Sequence, residues 1–293
     1  MIQESRQPGD PLAVLPLEVS CATVGVNRGS FYRQARTPER AAVEQDTTLR
    51  DTIERVVLEF AGYGYRRVTA QLRREGWEIN HKRVLRVMRA ESLLCQLKRR
   101  WARTTDSEHG WRVYPNLLAG RGWRLLTGIN QAWVADLTYI RLPAGFCYLA
   151  AILDAYSRRV VGWELSERID AELAVSALRQ ALASRQPPAD WIHHSDRGVQ
   201  YACRDYVELL GAAGARISMS AKGTPRDNAQ AESFFRTLKH EEVYLNDYED
   251  HRQAKQAVGR FIERVYNEKR LHSSLGYRPP SEYEELLAAG FFH

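Results

Sequence analysis

From residue 131 onward the period of the apolar pattern changes, and the order of those changes constrains the fold more than any other feature of this 293-residue chain. AWVADLTYIRL, FCYLAAILDAYS and RRVVGWELS are strand-length apolar runs, joined by short turns that include Pro143 and Gly145. AELAVSALRQALAS then gathers its apolar residues on one helical face. WIHHSD reads as a short strand running into a loop, YACRDYVELLGAAG as a helix closed by Gly214, and RISMS as a fifth strand. DNAQAESFFRTLKHEEVY and EDHRQAKQAVGRFIERVYNEK read as two long helices. Three hairpin strands followed by parallel strands with crossover helices predict an α/β fold, a mixed five-stranded sheet covered on both faces.

That succession is the order of a ribonuclease-H-like core, and three acidic residues stand at points such a core brings together. Asp136 interrupts an otherwise apolar strand. Alternation along the strand puts Val134, Asp136 and Thr138 on one face and Trp133, Ala135, Leu137 and Tyr139 on the other. A carboxylate there is costly to desolvate and needs a cation or hydrogen bonds; taken alone, Asp136 reads as a hydrogen-bonded structural Asp. Asp196 follows the strand WIHH in the loop segment HSDRGVQY, at the carboxyl end where functional groups of open α/β sheets gather. Its bland alternative is a turn or helix-capping role. Glu232 shares a helical face with Arg236 and Lys239, which by itself is an ordinary salt-bridge ladder or equally a metal ligand with phosphate-contacting neighbours, Arg236 and Lys239, one and two turns along. Asp227 or Asn228 is expected to cap that helix. The acids are separated by 59 and 35 intervening residues. Three converging carboxylates have the donor chemistry to hold two Mg²⁺ ions (or Mn²⁺) roughly 3.5–4 Å apart.

The N-terminal half is helical and basic. Residues 1–45 form a peripheral segment in which CATVGVNRGSFYRQ resembles part of a helix-turn-helix, with Gly25 at the turn and Ser30 opening the next helix. Residues 46–102 read as three helices: DTTLRDTIERVVLEFA, VTAQLRREG closed by Gly76, and HKRVLRVMRAESL capped by Asn80. Between residues 62 and 103 there are 12 Lys and Arg against 3 Asp and Glu, whereas the whole chain carries a formal charge of only +6. A block of this kind is the footprint of a polyanion, or alternatively a solvated helix face. Arg66, Arg67, Arg73, Lys82, Arg83 and Arg86 are the candidate DNA contacts. Residues 103–130 show no periodicity and read as a linker, so the core occupies residues 131–285 with its C-terminal helices. The four cysteines are far apart and form no CxxC pair, which argues against zinc and for reduced thiols. No signal peptide or membrane span is visible, and a cytoplasmic location is expected.

The motifs DLTYI, HSDRGVQY, DNAQAESFFRTLKHE and YNEKRLHSSLGYRPPSEY, in that order, resemble the DDE transposases of the IS-three family of bacterial insertion sequences. The resemblance extends over nearly the whole chain, including GYGYRRVTAQLRREGWEINHKRVLRVM. It implies an integrase-like core with Asp136, Asp196 and Glu232 as metal-binding catalytic residues, and Lys239 as a contact to the DNA end. It further implies cleavage at insertion-sequence ends followed by strand transfer, with terminal repeats and target DNA as partners and assembly as a homo-oligomer on DNA. Family members often act as a fusion with an upstream-frame protein, and this chain resembles the downstream product. Two other classes fit parts of the pattern: a non-catalytic DNA-binding regulator derived from a transposase, and a ribonuclease-H-like nuclease. Of the remaining polar residues, Asp154 reads as a turn residue. His194 reads as either a phosphate contact or a packing residue, with His193 on the opposite face. Asn267, Arg270, His272 and Tyr277 read as a DNA or protomer contact, or as a helix exit packed on the core.

Overall fold

A computed structural model describes residues 17–23, 25, 40–95, 112–120, 122–221 and 224–291. The chain divides into two compact units, residues 1–55 and 56–293. In the first, helix α1 spans Leu17–Thr23, and Gly25 follows with φ +68. The helix expected to open at Ser30 lies outside the described residues. Helix α2, Arg40–Glu59, runs across the boundary between the units.

The second unit opens with helices α3, Tyr65–Arg74, and α4, His81–Ala90. Asn80 caps α4 as expected, its Oδ1 accepting from the Lys82 N–H at 2.9 Å. Val68 and Leu72 on α3 and Val84 and Met88 on α4 are buried, which accounts for the apolar stripes of both segments. These helices are tied to the C-terminal end of the chain. The Leu271 N–H donates to Tyr63 Oη at 2.7 Å, and Arg74 grips the Glu282 carboxylate with both terminal nitrogens.

The sheet comprises β1 Ala132–Leu142, β2 Gly145–Asp154, β3 Val160–Ser166, β4 Ile192–Ser195 and β5 Arg216–Met219. Its order is β3-β2-β1-β4-β5. The first three strands pair antiparallel, and β1–β4 and β4–β5 pair parallel. The crossovers are α5, Ala171–Ser184, and the pair α6, Val199–Ala202, and α7, Arg204–Ala212. The helix expected over 201–214 is thus two helices broken at Cys203.

Period-2 alternation sorts the strands onto two cores. Trp133, Ala135, Ala150 and Ile152 face α5–α7, where Leu178, Tyr201, Tyr206 and Leu210 meet them. Val134, Leu149, Ala151 and Leu153 face the other way, onto helix α8, Ala229–Glu241, which contributes Ala231, Phe234, Phe235 and Leu238. Each large side chain among these stabilises the fold by about 1.5–3 kcal/mol through removal from water. Helix α9, His251–Arg260, continues into a π-helical segment, Phe261–Asn267, and helix α10, Pro280–Ala288, starts on a proline suited to a first turn. Buried Glu284 anchors α10, accepting from Ser157 Oγ, Arg159 and Arg185. The stretch expected as a linker is partly packed: Leu118 is buried in the core, and the Leu117 N–H donates to Ser218 Oγ at 2.9 Å.

Candidate active site

The parallel pairing of β1 and β4 sets the geometry of two acids. Its rungs are Ala132 with Ile192, Trp133 with His193 and Val134 with His194. Two residues further along each strand stand Asp136 and Asp196, so the two acids are next in line on the face that Val134 presents to α8. Asp136 sits in mid-ladder opposite Ala151, half-buried, and accepts the Leu137 N–H on Oδ1 at 2.8 Å. Asp196 lies just past β4, where its Oδ1 accepts from the Gly198 N–H at 2.9 Å. That bond closes the loop tightly enough that a Cβ at Gly198 would stand 3.0 Å from the same oxygen.

Glu232 lies on α8, one residue from the buried Ala231 and on the helix's exposed flank. The electrostatics link the three acids. Burial pushes the Asp136 carboxyl well above the usual range, and the Asp196 and Glu232 charges push it further, against the Leu137 N–H and the Lys239 ammonium. Glu232 is itself raised by burial, offset by Arg236. Lys239, half-buried, has its Nζ 4.7 Å from the Tyr139 ring centroid, and burial lowers its pKa while Asp136 raises it. Among the described residues no three His, Cys, Asp or Glu side chains form a ready-made metal cage.

A residue read from the sequence as a helix cap ties this arrangement together in another way. Neither Asp227 nor Asn228 caps α8 through its side chain. Asp227 Oδ2 instead accepts from the Ala221 N–H at 3.1 Å. Buried Asn228 donates from Nδ2 to the Ala135 carbonyl at 3.1 Å, fastening the start of α8 to the strand position beside Asp136. Its Oδ1 is buried without a hydrogen-bond partner.

Known proteins share this plan. Profiles described as Integrase core domain match residues 127–225 and 213–280, and one described as HTH-like domain matches residues 44–101. A Shigella sonnei protein described as the insertion element IS600 uncharacterized 31 kDa protein is 37% identical over 266 residues, spanning 90% of this chain and 97% of that one. The transposase InsF for insertion sequence IS3A of Escherichia coli (strain K12) is 35% identical over 277 residues, 93% of this chain and 95% of that one. This chain belongs to the IS3 family of insertion-sequence transposases. Among solved structures, the catalytic core domain of BIV integrase aligns with a TM-score of 0.42 and 18% identity, over 56% of this chain and 99% of that one.

In this IS3-family transposase the other polar residues singled out from sequence have structural work. Asp154 is buried and accepts the N–H groups of Asn130, Tyr156 and Ser157, as a turn residue should. His194 is buried between Ser218 Oγ at 2.8 Å and Ser220 Oγ at 3.1 Å and edge-on to Trp123, which removes it as a phosphate contact. His193 meets Tyr206 Oη at 2.9 Å in the opposite core, and burial lowers its pKa to about 3. Asn267 brackets Val160 by bonding both its N–H and its carbonyl. Arg270 is engaged with Glu241. Of the basic candidates, Arg66, Lys82 and Arg86 are exposed and Arg83 is half-buried. Arg73 spends its guanidinium on the Ile79 carbonyl, bracing the turn between α3 and α4, and Arg67 turns inward to the Leu271 carbonyl. No helix among the described residues is long and apolar enough to cross a membrane.

Proposed function

We propose that the transposase cleaves DNA at insertion-sequence ends and joins the resulting 3′-hydroxyl to target DNA, using Asp136, Asp196 and Glu232 as ligands for two divalent ions. The observation that carries this is that the charges of Asp196 and Glu232 both act on Asp136: Asp136 stands on β1, Asp196 just past the parallel β4, and Glu232 on the helix packed over the same sheet. An all-oxygen donor set fits Mg²⁺ or Mn²⁺, since a cation offsets the burial and the Asp196 and Glu232 charges that otherwise hold a proton on Asp136. When bound, such ions activate the attacking oxygen and stabilise the leaving one.

The chain's own groups do the rest. Asp136 is fixed by ten consecutive β1–β2 pairs, and Asn228 holds α8 against β1, so Glu232 is delivered from a rigid support. Arg236 and Lys239 lie one and two turns along α8 from Glu232 and hold phosphates of the bound DNA. Arg66, Lys82, Arg83 and Arg86 bind the flanking duplex. The transposase acts as an oligomer on DNA, in fusion or complex with an upstream-frame protein.

The test is a labelled element-end duplex incubated with Mg²⁺ and the variants Asp136→Asn, Asp196→Asn and Glu232→Gln. Each should lose at least about a hundredfold in cleavage and joining, corresponding to several kcal/mol of transition-state stabilisation, while retaining duplex binding. Cleavage surviving in any one variant removes that residue from the set. Cut product without joined product identifies a nuclease instead, and duplex binding without cleavage by the unsubstituted protein identifies a regulator.

A further inference from the structure

A cleft of about 730 Å³ lies on the flank of α8, bounded by the start of α3, the β2–β3 turn and residues 270–274. Four guanidiniums line it: Arg67, Arg158, Arg236 and Arg270. The cleft has one carboxylate, Glu241, and Arg270 already holds it with two hydrogen bonds, at 2.8 and 2.7 Å. Gly62 is required for that approach, because a Cβ there would overlap the Glu241 side chain.

Three guanidiniums are left over. Arg67 bonds only the Leu271 carbonyl among the described residues, and neither Arg158 nor Arg236 makes an ion pair there. The acid nearest Arg158 in sequence, Asp154, is committed to three backbone N–H groups. Arg158 also adopts φ +65, a left-handed conformation that is strained for a non-glycine residue. That strain persists at the position that sends a guanidinium into the cleft. His272, nine-tenths buried, lines the same space with its Nε2 lacking any hydrogen-bond partner. Burial and the Arg270, Arg67 and Arg158 charges lower its pKa well below the usual value, so it brings a neutral ring to this positive setting. Arg67 and Arg158 are half-buried cations with no hydrogen-bonded carboxylate among the described residues, and guanidinium forks match the oxygens of a phosphate in shape and charge.

We propose that this cleft seats a backbone phosphate of the bound DNA through Arg67, Arg158 and Arg236. Arg236 fixes its place. It stands one helical turn beyond Glu232, about 6 Å along α8, so the seated phosphate lies within one or two nucleotide steps of the phosphate offered to the carboxylates. The seat rests on the reading of the protein as a DNA-cutting transposase, and it adds a grip on the strand that is independent of the metal-binding acids.

The experiment measures binding of a labelled duplex in EDTA over a salt series, so that no chemistry is involved. Arg158→Gln and Arg236→Gln should each weaken binding about tenfold and make the log–log salt dependence shallower by about 0.9, the loss of one phosphate contact. Arg236 is exposed on α8, so its variant remains a folded probe if Arg158→Gln melts early. Unchanged affinity and slope in a folded variant overturns the proposal. A second arm uses inorganic sulfate: if it raises the melting temperature of the unsubstituted protein but not of Arg158→Gln, while duplex binding is equal in both, the cleft takes a free oxyanion and not DNA. Failure of catalysis by carboxylates would appear separately, as metal-dependent cleavage surviving in Asp136→Asn.

Discussion

At the scale of single residues, Asp136 shows how a fold can hold a charge at a disadvantage. Its carboxyl pKa is raised by burial first and by neighbouring acids second, so the folded state binds that proton more tightly than the unfolded chain does. The contribution of this group to stability is therefore greatest at acid pH and declines as pH rises from the unfolded value through the raised folded one. At neutral pH and without metal, Asp136→Asn should raise the melting temperature while abolishing cleavage. A melting temperature equal to or below that of the unsubstituted protein in EDTA would mark Asp136 as a paired structural acid. The three acids were legible in the sequence because a carboxylate inside an apolar strand, or just past one, stands out against its neighbours. Asn228 and Arg158 were not legible. An Asn before a helix reads as a cap, and an Arg in a turn reads as solvent-facing. Only the long-range contacts, to the Ala135 carbonyl and into the cleft, give them other work. Periodicity assigned His194 to a sheet face, but it carries no measure of depth, and depth decides against a phosphate contact.

At the scale of elements, the five strands and their mixed pairing followed from the succession of periods, since hairpin strands pair antiparallel and crossover helices return parallel; the spatial order came from the structure. Element ends followed less well. The break at Cys203 and the π-helical turn over Phe261–Asn267 depend on how side chains fit against the sheet, which short-range patterns do not encode. One close contact can be tested directly. Gly162 on β3 lies against α5, where a Cβ would collide with the Ala177 carbonyl and would stand 2.8 Å from the Ala181 Cβ. Gly162→Ala should therefore destabilise the protein by about 1–3 kcal/mol, the usual effect of overpacking, as read by chemical denaturation. A neutral result would mean that α5 can slide on the sheet.

At the scale of the whole molecule, charge is segregated: 12 Lys and Arg against 3 Asp and Glu within residues 62–103, in a chain whose formal charge is +6. If Arg66, Lys82, Arg83, Arg86, Arg236 and Lys239 each neutralise one phosphate, duplex affinity should fall with salt at a log–log slope of about −5, from about −0.9 per contact. A slope near zero would return the basic block to the role of a solvated face. The ten-rung ladder between β1 and β2 has one more consequence. Side chains alternate along a strand, so sliding β1 by a single residue would bury Asp136 among the tryptophans and tyrosines on the far side and expose Ala135 in its place. The length of that hairpin is thus what makes misalignment during folding costly, and a shortened version would be expected to yield soluble protein in which a fraction of molecules is catalytically dead.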